Sequence, residues 1–477
     1  MTSSSTLPID RGLLGLTLGL AVALNPFVLS LAQAKTLAVT GGGLAASSGP
    51  VHLSARLDRG SVLVGQDGEV RAELVLSADH EVTKSERKDT DLVVILDRSG
   101  SMRGEKISFA KAAVRELVGQ LGPDDRFALV TYSDDASARI ALGYATDDAR
   151  RQWLASVDSV RADGYTNMSG GMDLAFDLIE GSRAAGRAAR AVLISDGLPN
   201  QGDPSPEGLV RRASRAPRGD YVMTAVGVGS DFNEHLMTRL ADAGTGNYHY
   251  LASGHDLAAV FANELSTART TVASSVAVTI DPASGVAVTD ASGYPLEVDS
   301  GGSVVFRPGI LFSGQERRVW VTFRVRPDAV GELTLGSVSM SWKRDGRAHS
   351  LALGATPVVQ VVEDERRYYT DIDKETWERS VVTEEWNETR QKASKAVAAG
   401  RKDEAISIVR DYRNKNAAAN AEVGSAAVTS NLDEAAAFED EIEESFSGAD
   451  QAEKQNTLSK GVSSEAYKAR RVGQVKQ

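Results

Sequence analysis

The sequence predicts an α/β domain with an open, mostly parallel sheet flanked by helices, set in or followed by an antiparallel β-sandwich and trailed by an α-helical region. Continuous apolar runs such as Leu92-Val93-Val94-Ile95-Leu96 read as strands buried on both faces. Between the runs, apolar residues recur at helical spacing, as at Ile107, Ala110, Ala113, Val114, Leu117 and Leu121. On either side of this stretch the apolar period falls to two, with Gly, Pro and Asp marking turns.

The chain has 477 residues, 42% of them hydrophobic and 25% charged, with a formal net charge of −12. At about 150 residues per domain, that length suggests about three domains. An acidic chain without a Lys/Arg-rich run does not neutralise a phosphate backbone, so nucleic acid is excluded as a partner. Charges spread through the body exclude a polytopic membrane protein. Cysteine is absent, which removes thiol catalysis, disulfides, Cys-ligated zinc and iron–sulfur centres together.

Residues 1–34 read as a secretory signal peptide. Leu13 to Leu24 is an apolar run preceded by Arg11, and Ala32-Gln33-Ala34 forms an A-x-A cleavage site ahead of Lys35. The alternative is an uncleaved anchor, although Asn25-Pro26 interrupts the run. The expectation is an exported protein, in the periplasm, at the cell surface or secreted, with no membrane span after cleavage.

Residues 35–88 carry alternating strands, as in Val51-His52-Leu53-Ser54-Ala55-Arg56-Leu57, followed by a charged linker from His80 to Asp91. Residues 89–271 alternate strand and helix. The buried-strand runs are Leu92–Leu96, Phe127–Val130, Ala191–Ile194 and Val222–Val226, and helices are expected near Arg150–Val160, Ser169–Gly181, Pro206–Ser214, Glu234–Ala243 and His255–Ala268. Residues 272–362 return to period two, for example Val319-Trp320-Val321-Thr322-Phe323-Arg324-Val325, which is sandwich spacing. The strands before Ala78 are too few to bury a core alone, so they are expected to pair with this later sheet. Residues 363–477 read as helical and acidic, with Trp377, Val381, Val382 and Trp386 as an apolar stripe and a helical hairpin about Gly400. The acidic stretch Asp433 to Glu453 reads as a solvated or partly disordered face.

The residues that carry chemistry lie where the first α/β strand ends, in Asp97-Arg98-Ser99-Gly100-Ser101. In an extended loop, positions 97, 99 and 101 share a side, which aims one carboxylate and two hydroxyls at one point. Open α/β sheets bind ligands beyond the carboxyl ends of their strands. Asp196 ends another buried strand at the same crest, and Thr166 lies in the loop Asp163-Gly164-Tyr165-Thr166-Asn167, which opens a helix. Two carboxylates and three hydroxyls form an oxygen-only set that favours magnesium first, with manganese or calcium as alternatives, over zinc or copper. A lone D-x-S-x-S is more often an Asx-turn loop than a metal site, but here three pieces at the ends of different α/β segments point to metal.

Asp97, Ser99 and Ser101, with Thr166 and Asp196, resemble the metal-ion-dependent adhesion site of von Willebrand factor type A domains. The resemblance covers roughly Asp91 to Ala268. It implies that Asp97, Ser99, Ser101 and Thr166 ligate a divalent ion directly or through water, that Asp196 acts through water, and that a protein partner's Glu or Asp completes the shell. The flanking strands and the exported start look like bacterial relatives of inter-alpha-trypsin inhibitor heavy chains and of calcium-activated chloride channel homologues. Channel activity does not carry over, because the chain has no membrane-spanning bundle. The expectation is a metal-dependent adhesion module and not an enzyme, with a structural or envelope-assembly factor as the alternative and a metal-dependent hydrolase behind both. His80-Glu81-Val82-Thr83-Lys84 lacks the second His of a zinc protease. Ser99 and Ser101 have no neighbouring His in the sequence to serve as base. Gly227-Val228-Gly229 lacks the rest of a dinucleotide fingerprint. Asp134, Asp135 and Asp203 could enlarge a metal face or be solvated loop carboxylates. Trp320 and Trp342 read as sandwich core or rim, with a carbohydrate platform as the alternative.

Overall fold

The computed structural model describes residues 35–36, 43–80, 89–182, 184, 187–197, 199–229, 233–251, 271–344, 346–448 and 450–471. The expected leader, residues 1–34, and the expected helix His255–Ala268 lie outside the described residues.

Five strands come first: β1 (Lys35–Thr36), β2 (Leu44–Ser48), β3 (Val51–Leu57), β4 (Ser61–Leu63) and β5 (Gly68–Ala78). The α/β domain follows with strands β6 (Thr90–Asp97), β7 (Arg126–Tyr132), β8 (Ala136–Tyr144), β9 (Ala188–Ser195), β10 (Val222–Val228) and β11 (Thr245–Leu251). Its helices are α1 (Glu105–Gln120), α2 (Asp147–Asp158), α3 (Met168–Gly181), α4 (Pro206–Ala213), the short α5 (Arg215–Arg218) and α6 (Glu234–Ala243). The sheet order is β11-β10-β9-β6-β7-β8, parallel except for the edge strand β8. Every residue of β6 and β10 is buried, as their unbroken apolar runs require when helices cover both faces. One core packs α3, α4 and α6 on one face of the sheet, around Phe176, Met223 and Leu240, and another packs α1 and α2 on the opposite face, around Val114, Phe127 and Trp153.

β6 starts at Thr90, so the end of the expected charged linker is in fact strand. Asp91 is buried there, and Arg126 and Arg187 pair with it at 2.5 and 2.7 Å.

The sandwich strands are β12 (Thr271–Pro282), β13 (Val286–Ala291), β14 (Glu297–Val298), β15 (Val304–Phe312), β16 (Glu316–Val325), β17 (Gly331–Thr334), β18 (Gly336–Arg344), β19 (Arg347–Ala352) and β20 (Val358–Val362). One sheet runs β1-β2-β3-β5-β16-β13 and a second runs β14-β15-β12-β18-β19. β5 pairs antiparallel with β16 from Gly68↔Val325 to Ser77↔Glu316. Strands from before and after the α/β domain therefore lie side by side, and the α/β domain is an insertion in the sandwich. The alternation of β3 and β18 puts Val51, Leu53, Val338, Met340 and Trp342 in a shared core. Trp320 and Trp342 are both buried, so neither presents a face to a sugar.

The C-terminal region contains α7 (Glu365–Thr370), α8 (Lys374–Arg379), α9 (Trp386–Ala398), α10 (Lys402–Val423), α11 (Ala426–Ser445) and α12 (Gln451–Arg471). The acidic stretch presents the expected solvated face, with Asp433, Glu434, Asp440, Glu441, Glu443 and Glu444 exposed, and it is ordered as helix. Most of it belongs to α11, whose Val428, Ala435, Phe438 and Ile442 enter a core with Trp377, Trp386 and Val409. Its buried Glu439 is paired with Arg410 and Arg413. Among the described residues, no helix is long and apolar enough to cross a membrane.

Candidate metal centre

β6 and β9 run parallel in register, Leu96 beside Ile194, so Asp97 and the Ser195-Asp196-Gly197 turn emerge together at the crest of the sheet. The turn's Asp196 is fully buried, as is Asp97, and Ser99 and Thr166 are nearly so. Asp97 Oδ1 accepts from the Ser99 amide at 2.8 Å, while its Oδ2 accepts from Ser195 Oγ at 2.6 Å and from the Tyr132 hydroxyl at 3.2 Å. The first of these bonds is the Asx turn that the motif alone would suggest. It coexists with side-chain convergence, because Ser99 Oγ and Ser101 Oγ lie 3.0 Å apart.

Thr166 reaches this loop through the backbone. Gly100 N donates to Gly164 O at 2.9 Å, and Asp163 N to Arg98 O at 2.7 Å. Gly164 has φ +85, and a Cβ there would lie 2.0 Å from Asp134 Oδ2, so any other residue would strain the backbone and displace the Asp134 carboxylate. Thr166 N donates to Asn200 Oδ1 at 2.8 Å, and Asn200 N and Gln201 N return bonds to Thr166 O. Asn167 caps α3 by accepting from Gly170 N. The five residues singled out in the sequence thus lie at the end of β6 and on loops joined to one another at the crest of one sheet.

Burial pushes the Asp97 carboxyl up to about 6 against the hydrogen bonds from Ser195 and Ser99, and the charge of Asp196 adds to the rise. Asp196 Oδ2 pairs with Lys106 Nζ at 3.1 Å. Its other oxygen, Oδ1, is buried with no hydrogen-bond partner among the described residues. An orphaned carboxylate oxygen and two converging hydroxyls on the same crest suit a hard divalent cation. Among the described residues no group of three or more His, Cys, Asp or Glu could hold a metal, so any ion here would depend on the Ser and Thr hydroxyls.

The sequence did not single out Ser195, Tyr132, Asn200 or Lys106, which position these groups from neighbouring elements. Asp203 is committed elsewhere. Hydrogen bonds from Ser205 and Arg212 hold its carboxyl down to about 2, and Ser205 caps α4. Asp134 supports the Thr166 loop by accepting from Tyr165 N at 3.4 Å.

Residues 91–263 match the von Willebrand factor type A domain family. The chain is 31% identical over 194 residues to YfbK of Escherichia coli (strain K12), a match covering 40% of this chain and 33% of that protein. It is 27% identical over 157 residues to inter alpha-trypsin inhibitor heavy chain 4 of Mus musculus, covering 32% of this chain and 17% of that one. The matched region thus spans a third or less of these relatives. The solved structure of a von Willebrand factor type A protein from Catenulispora acidiphila superposes with a TM-score of 0.60 at 17% identity, covering 90% of this chain and 98% of that one. The α/β crest and its sequence relatives agree that residues 91–263 form a von Willebrand factor type A domain.

Proposed function

We propose that the protein is an exported protein-interaction or adhesion module whose crest holds a divalent cation, magnesium foremost, and uses it to capture a Glu or Asp carboxylate of a protein partner. The observation that carries the reading is the oxygen set itself: Asp97, Ser99, Ser101, Thr166 and Asp196 on loops joined at one crest, with Asp196 Oδ1 buried and unpartnered among the described residues. The von Willebrand factor type A fold supports an interaction role in general. A bound ion would supply a Lewis-acidic face that accepts an external carboxylate. The chain's own residues do the rest. Ser195 and Tyr132 fix Asp97, the Asn200 side chain fixes Thr166, and the Asx turn fixes Ser99.

Ser195, the crest serine whose hydroxyl donates to the Asp97 carboxylate, is fully buried, out of reach of a substrate. The hydroxyls of Ser99 and Ser101 face each other, and Asp97 accepts hydrogen bonds from Ser99 N, Ser195 and Tyr132. That supports binding over hydrolysis.

A peptide array tests the reading, with Glu and Asp spots set against the same peptides carrying Gln and Asn. Retention on acidic spots in magnesium, lost with chelator and in Asp97→Ala, is the expected result. Retention indifferent to both would overturn it.

A further inference from the structure

Lys106, near the start of α1, reaches across the crest to Asp196, with Nζ 3.1 Å from Oδ2. Asp196 is fully buried, and the Lys106 side chain is 22% exposed. The path of the lysine stem is shaped by backbone. Gly229, just past β10, has φ +85, and a Cβ there would lie 2.6 Å from Lys106 Cε. Gly229, which belongs to the glycine pair that lacks a dinucleotide fingerprint, thus leaves the slot in which Lys106 lies.

Two fully buried carboxylates, Asp97 and Asp196, emerge together at the ends of the paired strands β6 and β9. Burying such charges unpaired is costly, and Lys106 supplies one compensating charge from within the chain.

We propose that Lys106 is a built-in counter-cation of the metal centre: it neutralises Asp196 while the crest is metal-free, opposes an entering divalent ion, and so sets the cation concentration at which the site loads. This rests on the metal-centre reading above and adds its regulation. A single positive charge a few ångströms from a divalent ion is repulsive at any protein dielectric. A partner carboxylate arriving at the ion offsets that repulsion, so metal and partner bind with positive cooperativity.

The test is calorimetric titration of magnesium and manganese into the full chain, with thermal melts in chelator and in saturating metal. Lys106→Met removes the charge at similar length, Lys106→Gln removes it while keeping a polar head, and Lys106→Arg keeps it. The charge-removing variants are expected to bind metal more tightly, by on the order of tenfold, to melt lower than wild type in chelator, and to gain more in Tm on adding metal. Lys106→Arg is expected to stay within about threefold of wild type. Variants that fold only in saturating metal would be the extreme form of the same result.

Weaker metal binding in Lys106→Met and Lys106→Gln would show that the lysine merely orients Asp196, and would overturn the proposal. So would unchanged affinity, equal tightening in Lys106→Arg, or failure of both neutral variants to fold even in saturating metal. Binding by wild type with no gain in the neutral variants would sink this proposal alone. No binding by wild type or any Lys106 variant would overturn it together with the metal centre.

Discussion

Ser195 Oγ donates to Asp97 Oδ2 over 2.6 Å, and Gly197 N in turn donates to Ser195 Oγ over 2.8 Å. A hydroxyl at the end of β9 thereby holds the carboxylate at the end of β6 and shapes the turn that carries Asp196. Side chains that fix a ligand's orientation commonly alter metal affinity 10- to 100-fold when removed. Ser195→Ala is expected to weaken magnesium binding by roughly tenfold and to cost about 1–2 kcal/mol of stability. Calorimetry and denaturant melts of the same variant check both.

Gly164 is the backbone hinge of the Thr166 loop. Gly164→Ala combines a positive φ with a Cβ 2.0 Å from Asp134 Oδ2, and is expected to destabilise the protein by about 1–3 kcal/mol. It is also expected to weaken metal binding, because Gly164 O anchors Gly100 N. A variant with wild-type Tm and wild-type metal affinity would show that the loop has more freedom than its hydrogen bonds suggest.

The helical region is tied to the sandwich by buried charge. Arg71 on β5 pairs with Glu385 at 2.8 Å, and Lys415 on α10 pairs with the same carboxylate at 2.9 Å. Burial alone would raise the Glu385 carboxyl, but Arg71 and then Lys415 outweigh it and hold it at about 2. A carboxyl lowered on folding contributes stability above its unfolded value, and that stability is lost as pH falls through the folded value. Its contribution is expected to fade from about pH 4.5 down to about pH 2. Glu385→Gln is expected to cost about 3 kcal/mol near neutral pH and to flatten that part of the pH–stability curve, as read by melts across the range.

Trp386 joins Tyr412 and Phe438 in an aromatic cluster with ring centroids 5.2 and 5.8 Å away, and its Nε1 donates to Glu434 at 3.0 Å. Trp386→Ala is expected to cost about 3–5 kcal/mol and to loosen α9 to α11 together. Hydrogen exchange should show faster exchange in those helices while β6 and β9 keep wild-type protection.

The buried strands of the α/β domain were legible because helices cover both faces, which demands unbroken apolar runs such as Leu92–Leu96. β8 was not, since an edge strand that is largely exposed shows neither an apolar run nor a clean alternation. β11, Thr-Gly-Asn-Tyr-His-Tyr-Leu, has no apolar run either. In α11 the buried Val428, Ala435, Phe438 and Ile442 are diluted by acids on the solvent side, which hid its helical period. Asp97, Ser99, Ser101 and Asp196 were readable from local spacing and the rule that sites lie at strand ends, whereas Thr166, in a loop that opens α3, took its role from the family resemblance. Ser195, Tyr132 and Lys106 were not, because their roles arise only once β6, β7, β9 and α1 are neighbours in space.

A divalent ion bound at the crest is the proposal on which these expectations rest. Calorimetric titration of magnesium, manganese and calcium into wild type and Asp97→Ala tests it most directly. Saturable heat with at least one ion, lost in the variant while its fold persists, is the expected result. No saturable binding by wild type, or binding that Asp97→Ala retains in full, would contradict it.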